Sequence, residues 1–310
     1  MRNNLPVFVM NTLLRSTTQR SKLQRWVRQI DNYPNWLGAS ERELLVETRH
    51  GFSIWCDRSD YIGRTIIDSG EWEPLVSRTI QACLQPGDLA IDVGANIGYD
   101  TLLMSTSVGQ TGQVLSFEPN IDNLGRLIRN LQQSKASNVC VQSTALADSA
   151  GWGDMSLDGE YGHANLRNDG GSKRTQKILT LDLDTLLSLD PARRIQLVKM
   201  DVEGFEYRVL QGMKGWLKRV DNVICEVQLQ FLERCGASAQ ELFELMHAQG
   251  FSSWCAEAES NGSWVAGDHR FRPAKTYTSG MVGFDVLFSR GLTPPLRALV
   301  SPTADIRAVS

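Results

Sequence analysis

Hydrophobic and polar positions divide the chain at about residue 50. Residues 1–50 are polar with a helical spacing. From 51 the period shortens: GFSIWCD alternates apolar and polar residues, which predicts a strand. A loop, a helix from about 73 to 84 and a Pro-Gly turn follow. The next segment is the most regular. Short apolar runs at 89–94, 113–119 and 138–146 alternate with helical patterns at 96–109 and 121–134. In the second of these helices Ile121, Leu124, Leu127, Ile128 and Leu131 form one stripe. Strand, helix, strand, helix, strand with short connections predicts a parallel sheet with helices on its faces.

Residues 148–175 break this rhythm. They are rich in Gly, Asp, Asn and Ser and read as a long loop, of the kind that carries function in a compact domain. Regular structure resumes at 177–189. A strand at 195–201, a helix at 203–219, a strand at 221–228 and a Ser238-capped helix at 238–251 come next. Final strands are expected at 251–257 and 282–289. The pattern divides the chain into a helical extension (1–50), one α/β domain (51–290) and a tail (291–310).

Composition narrows the class. The chain has 310 residues, 32 basic and 35 acidic side chains, a net charge of −3 and 42% hydrophobic residues. Disorder throughout is excluded, because it requires low hydrophobicity and high net charge. No run of 18 apolar residues exists, and the apolar LPVFVM at 5–10 has no cleavage pattern after it, so neither a spanning helix nor a signal peptide is expected. Six scattered cysteines without a CxxC pair point to reduced thiols and a cytoplasmic protein. Arg2, Arg15, Arg20, Lys22, Arg25 and Arg28 precede the first acid, Asp31. They read as a solvated helix face, with peripheral contact to an anionic membrane through 1–30 as the alternative. Nothing else forms a basic footprint for nucleic acid.

The candidate chemistry starts at DVGANIG (92–98), between a strand and a helix. Gly94 and Gly98 permit a tight turn, and the helix offers free N–H groups at its start. Glu118 lies 20 residues after Gly98 at the end of the next strand, where an acid accepts from ribose hydroxyls in nucleotide-binding sheets. The pattern differs from the dinucleotide fingerprint GxGxxG. Asp92 beside the turn would repel a pyrophosphate and suit a ligand with an ammonium group. That favours S-adenosylmethionine over NAD. An NAD(P)-dependent oxidoreductase and an inactive binding protein of the same fold remain the alternatives.

DVGANIGYDT, FEPN (117–120), ALAD (145–148), KMDVEGFEYRVLQGM (199–213) and ICEVQ (224–228) together resemble the FkbM family of S-adenosylmethionine-dependent O-methyltransferases over about 51–290. The resemblance implies the class I methyltransferase fold, a Rossmann-like seven-stranded sheet with an antiparallel last strand. It also implies a hydroxylated small-molecule acceptor such as a sugar, glycolipid or polyketide. Carried onto this chain, Asp92, Gly94, Asn96 and Gly98 form the donor turn, Glu118 meets the ribose and Ala145 lies near the adenine. Asp201 and Glu203 fall at the cleft, and GEWEP (70–74) resembles an acidic segment of the family. Where members often carry a His after the fifth-strand Glu, this chain has Gln228.

Asp201, Glu203 and Glu226 could hold a divalent metal, bind the donor's ammonium or orient an acceptor. Without a His or an Asp-Asn pair beside them no metal is expected. Glu206 is expected to face solvent or Arg208. A hydroxyl nucleophile is helped by a base. His163, in the 148–175 loop with Trp152 and Tyr161, is the candidate, with Asp201 as its rival. The loop would then be a lid over the acceptor.

Overall fold

The computed structural model describes residues 42–157, 174–186, 192–256, 270–274 and 283–301. Strands β1 (Glu43–Glu47) and β2 (Ser53–Asp57) precede helices α1 (Tyr61–Ser69) and α2 (Pro74–Cys83). The regular alternation is β3 (Leu89–Val93), α3 (Tyr99–Val108), β4 (Gln113–Phe117), α4 (Ile121–Gln133) and β5 (Val139–Gln142). Then come β6 (Ala145–Leu146), β7 (Gly151–Ser156), β8 (Thr175–Leu181), α5 (Leu183–Leu186), β9 (Ile195–Met200), α6 (Glu206–Gln211) and α7 (Lys214–Leu217). The chain continues through β10 (Val220–Gln228), α8 (Leu229–Arg234), α9 (Ala239–Ala248), β11 (Ser252–Ala256), β12 (Phe271–Pro273), β13 (Gly283–Ser289) and α10 (Pro294–Arg297).

Eight strands make one sheet in the order β12-β11-β13-β10-β9-β3-β4-β5. Strands β5, β4, β3, β9 and β10 are parallel, and β13 is antiparallel to both of its neighbours. This is the expected seven-stranded sheet with a reversed last strand. The three-residue β12 extends it at the β11 edge.

Side-chain alternation gives the sheet two different faces. Leu89, Ile91, Val93, Val198, Met200, Val223, Cys225, Phe284 and Val286 join one core with residues of α6, α7 and α9. The intervening Ala90, Leu197, Ile224 and Leu287 join the other, with residues of α1, α2 and α3. On this second face the apolar rows stop before the carboxyl ends of the strands. There the same alternation places Asp92, Lys199, Glu226 and Asp285, which are neighbours by register: Asp92 pairs with Lys199 and Glu226 with Asp285.

Several expectations are corrected. Residues 43–47, assigned to a helical extension, form a strand paired antiparallel to β2, because Leu44 and Val46 meet Cys56 and Ile54 across the pair. The 148–175 segment is not a loop throughout: β7 pairs antiparallel with β8 over six residues, in a small sheet that also takes β6. The 138–146 run is therefore two strands in two sheets. The 203–219 helix is two short helices divided at Gly212, where a Cβ would lie 1.8 Å from the Ala147 carbonyl oxygen. The start of the 291–310 tail is anchored: Leu296 is fully buried and Val300 bridges to Phe271. Among the described residues no helix is long and apolar enough to cross a membrane.

Candidate functional site

A cleft opens at the carboxyl ends of β3, β4 and β9, where open α/β sheets bind ligands. Gly94, Asn96, Glu118, Ala145, Asp201 and Glu203 line it. Four separate stretches of sequence expectation thus converge on one surface.

The turn after β3 is built by close approach. Gly94 has φ +86°, and a Cβ there would stand 1.9 Å from the Asp201 carbonyl oxygen. Asp201 N–H in turn donates to the Val93 carbonyl at 3.0 Å. Gly94 is glycine because β3 and β9 end against each other. Gly98 (φ +93°) caps α3, and a Cβ there would meet Leu127 Cδ1 at 2.5 Å. Gly98 does not line the cleft. Gly94 does line it, and at both glycines the missing Cβ also clears room for a neighbouring element.

Glu118 holds the floor of the cleft. Its Oε2 accepts from Asn96 N–H at 2.7 Å and its Oε1 from Asn120 N–H at 2.8 Å. The residue is 4% exposed. Burial pushes its carboxyl up to about 8, against the two N–H donors that favour the charged form. Each carboxylate oxygen keeps a further lone pair for a hydroxyl donor.

Asp92 sits behind the turn with no exposed surface and does not line the cleft. Thr101 Oγ1 donates to its Oδ2, and Thr101 also shares a 3.1 Å bond with Ser116. This ties the first helical turn of α3 to β3 and β4. Burial pushes the Asp92 carboxyl up to about 6, with Lys199 opposing.

The loop after β9 is clamped from within. Glu206 is 1% exposed, contrary to the solvent position expected for it. Its Oε1 accepts from Gly204 N–H at 3.0 Å and Val202 N–H at 3.4 Å. The negative charge at the start of α6 thus holds the Asp201–Glu203 segment, and burial pushes its carboxyl up to about 7. Nothing in the sequence marked this role except the spacing DVEGFE, in which an acid follows a glycine by two residues.

Lys199 is the buried cation beneath the cleft. Its Nζ lies 3.2 Å from Asp100 Oδ2 and 3.4 Å from Asp201 Oδ2. Burial works against its charge, but Asp201, Asp100 and Asp92 together hold its pKa well above the usual lysine range. Around it the acids outnumber it. Asp285 is pushed up to about 7 by burial and by Asp201. Glu73, at the start of α2, is raised well above the carboxylate range by burial and by Asp285, and Glu226 is raised by burial and by Asp201 and Glu73. Sequence reasoning missed Lys199, Asp100, Asp285 and Glu73 as members of this group. Only GEWEP pointed towards Glu73.

Left-handed backbone concentrates here too. Of the non-glycine residues with positive φ among those described, Glu73 (41°), Asn96 (51°) and Glu203 (53°) flank this region, and only Lys135 lies elsewhere. Each such residue costs roughly 1–3 kcal/mol, which the surroundings must hold in place. His163 and Tyr161 lie outside the described residues. Trp152, on β7, is 75% exposed. Among the described residues no group of three His, Cys, Asp or Glu side chains could hold a metal ion.

Comparison with known proteins follows the same lines. The methyltransferase FkbM domain model matches residues 92–253, just over half of the chain. The model for protein-L-isoaspartate(D-aspartate) O-methyltransferase matches 27–156, less than half. A hexuronic acid methyltransferase, AglP, of Haloferax volcanii is 27% identical over 254 residues, covering 78% of this chain and 97% of that protein. Two solved structures are weakly similar. An rRNA methylase from Streptococcus thermophilus has a TM-score of 0.41 at 11% identity, over 71% of this chain and 96% of that one. An S-adenosylmethionine-dependent O-methyltransferase from Thermotoga maritima has a TM-score of 0.40 at 11% identity, over 77% and 71%. At these scores the likenesses carry no argument.

Proposed function

Given that the chain belongs to the methyltransferase FkbM domain family, with S-adenosylmethionine as its cofactor, we propose that it methylates a hydroxyl of a small, sugar-type acceptor. The cofactor, when bound, supplies an electrophilic methyl group on a cationic sulfur. The chain's own residues have to hold it, exclude water and align an oxygen with the methyl carbon, which accounts for much of the rate.

The residues present fit that cofactor. Glu118 is a carboxylate fixed by two backbone N–H groups in the cleft, with lone pairs left for a ribose diol. Ala145 and Leu146 give an apolar wall for an adenine. At the other end Asp201 and the acids behind it favour a cationic sulfonium and ammonium. The same acids disfavour a pyrophosphate, which argues against the oxidoreductase alternative. The sugar acceptor is supported by the similarity to a hexuronic acid methyltransferase over nearly all of that protein's length.

The observation that carries the reading is the anchored Glu118. Calorimetric titration with S-adenosylhomocysteine is expected to show binding to the wild type and at least a tenfold loss in Glu118→Ala. Equal affinity in both would overturn the donor-site assignment. A screen with labelled methyl donor against neutral sugars, uronic acids, lipids and RNA then tests the acceptor. Transfer to RNA alone would overturn the sugar reading.

A further inference from the structure

One carboxylate in the layer around Lys199 has surroundings unlike the others. Asp100 and Asp201 face the Lys199 ammonium, and Asp92 accepts from Thr101. Glu226 instead is held by an amide: Gln228 Nε2 donates to its Oε1 at 2.8 Å. Gln228 is itself fixed by register. Its partner on β13 is Gly283, and a Cβ at Gly283 would lie 2.3 Å from Gln228 Oε1. Only glycine there leaves the amide its place beside Glu226. The side chain of Glu226 is half-buried, whereas Asp92 and Glu206 are closed off.

Position along the sheet gives this group its meaning. The cleft runs from Ala145 and Glu118, beside β6 and β4, to Asp201 and Glu203 at the end of β9. The next strand in the sheet is β10, and Glu226 lies two residues before its end. With ribose and adenine at the β4 end, the reacting end of the donor points to β9 and β10. The same layer contains two buried oxygens without a hydrogen-bond partner, Asp92 Oδ1 and Asp100 Oδ1. Unpaired buried acceptors are costly, and they mark a place where positive charge is welcome.

We propose that Glu226 is the base that receives the acceptor's hydroxyl proton, with Gln228 as the residue that positions it. This rests on the reading of the chain as a methyltransferase acting on a hydroxyl. In the step, the acceptor oxygen bonds to the methyl carbon while the methyl–sulfur bond breaks and its electron pair stays on sulfur. The hydroxyl proton passes to Glu226 and later to solvent.

The electrostatics suit the task. Glu226 is faced by Asp201 after β9, Glu73 from α2 and Asp285 from β13, with Lys199 and Asp100 beyond. Burial and these acids raise its proton affinity, and the Gln228 bond lowers it. A cationic donor lowers it further and so leaves a carboxylate ready when both substrates are present. Loss of that positive charge on transfer raises the affinity again, as the proton arrives.

The test separates this from the donor-site reading. Calorimetry in two buffers of different protonation heat measures the protons released on binding S-adenosylmethionine and on binding the neutral-sulfur S-adenosylhomocysteine. The wild type is expected to release more protons with the cationic donor. The excess should shrink in Glu226→Gln, while affinity for S-adenosylhomocysteine stays within about threefold. With a sugar found in the labelling screen, Glu226→Gln should lose roughly 100-fold or more in kcat. Gln228→Ala should shift the acidic limb of the kcat–pH profile upward with KM little changed. Glu226→Asp, with its matching thermal melt, covers the case in which the amide variant does not fold: it should keep the excess proton release. An unchanged excess in Glu226→Gln, or kcat within threefold of wild type, overturns the proposal. Failure of the wild type to bind S-adenosylhomocysteine would instead overturn the donor-site reading.

Discussion

Glu206 shows how much one side chain can organise. Its carboxyl satisfies two N–H groups of the loop that carries Asp201 and Glu203, and almost none of it reaches solvent. Removing the acceptor leaves Gly204 N–H buried and unpaired. Glu206→Ala is therefore expected to lower unfolding free energy by about 1–3 kcal/mol. Glu206→Gln keeps an amide oxygen for the same donor and loses a buried carboxyl whose ionisation the fold resists. It should match or exceed the wild type at pH 8. Urea melts of both variants check this, and equal losses would count against the clamp. Gln228 and Gly283 are the same kind of case. An amide two residues beyond a strand acid is unremarkable in sequence, and it becomes a positioning group only because β13 brings a glycine opposite it.

At the scale of elements, the β3–α3 turn and the β9 loop are one unit. Gly94 presses on the Asp201 carbonyl, and Asp201 N–H bonds back to Val93. Gly94→Ala must part the two strand ends as well as accept a left-handed φ. We expect at least a tenfold loss of S-adenosylhomocysteine affinity together with a clear drop in melting temperature. Gly51→Ala is the control: its φ is +82°, but nothing lies within 4 Å of the new Cβ. Its cost should be limited to the backbone penalty, about 1–2 kcal/mol, with donor affinity unchanged. Similar losses in the two variants would show that strand contact at Gly94 has no special weight. The β7–β8 pair is a second lesson at this scale. It places Met155 in the cleft wall, within a segment whose composition reads as loop.

For the whole molecule, the buried acids set the response to pH. In the fold Asp92 is held at about 6, Glu206 and Asp285 at about 7 and Glu118 at about 8. In an unfolded chain all four ionise near 4. Between those limits the native state binds more protons than the unfolded state, so stability falls as pH rises. Their full contribution is present below about pH 4 and is lost progressively up to about 8. Urea midpoints measured from pH 5 to 8.5 are expected to decline, and a rising midpoint across this window would refute the assignment. S-adenosylmethionine, bringing positive charge, should gain more stabilisation between pH 6 and pH 8 than the neutral-sulfur S-adenosylhomocysteine at the same free concentration.

The sequence by itself determined the alternating core. Apolar runs of five residues between helical stripes have few ways to bury themselves, and the parallel sheet, its order of elements and the turn at 92–98 follow from that period. It also brought forward Gly94, Asn96, Glu118 and Asp201, because short turns and strand ends fix where those residues must lie, and Ala145 through the resemblance to the FkbM family. Tertiary structure decided what period cannot express. Whether 151–156 is strand or loop depends on a partner 19 to 29 residues away (Ser156 with Thr175, Gly151 with Thr180), since pairing compensates for poor propensity. Which charged residues are buried depends on the face that α2 and α3 cover. Lys199, Asp100, Glu73, Glu226 and Asp285 are scattered over more than 200 residues of sequence, and strand register together with the docking of α2 and α3 brings their charges close enough to alter one another's proton affinity.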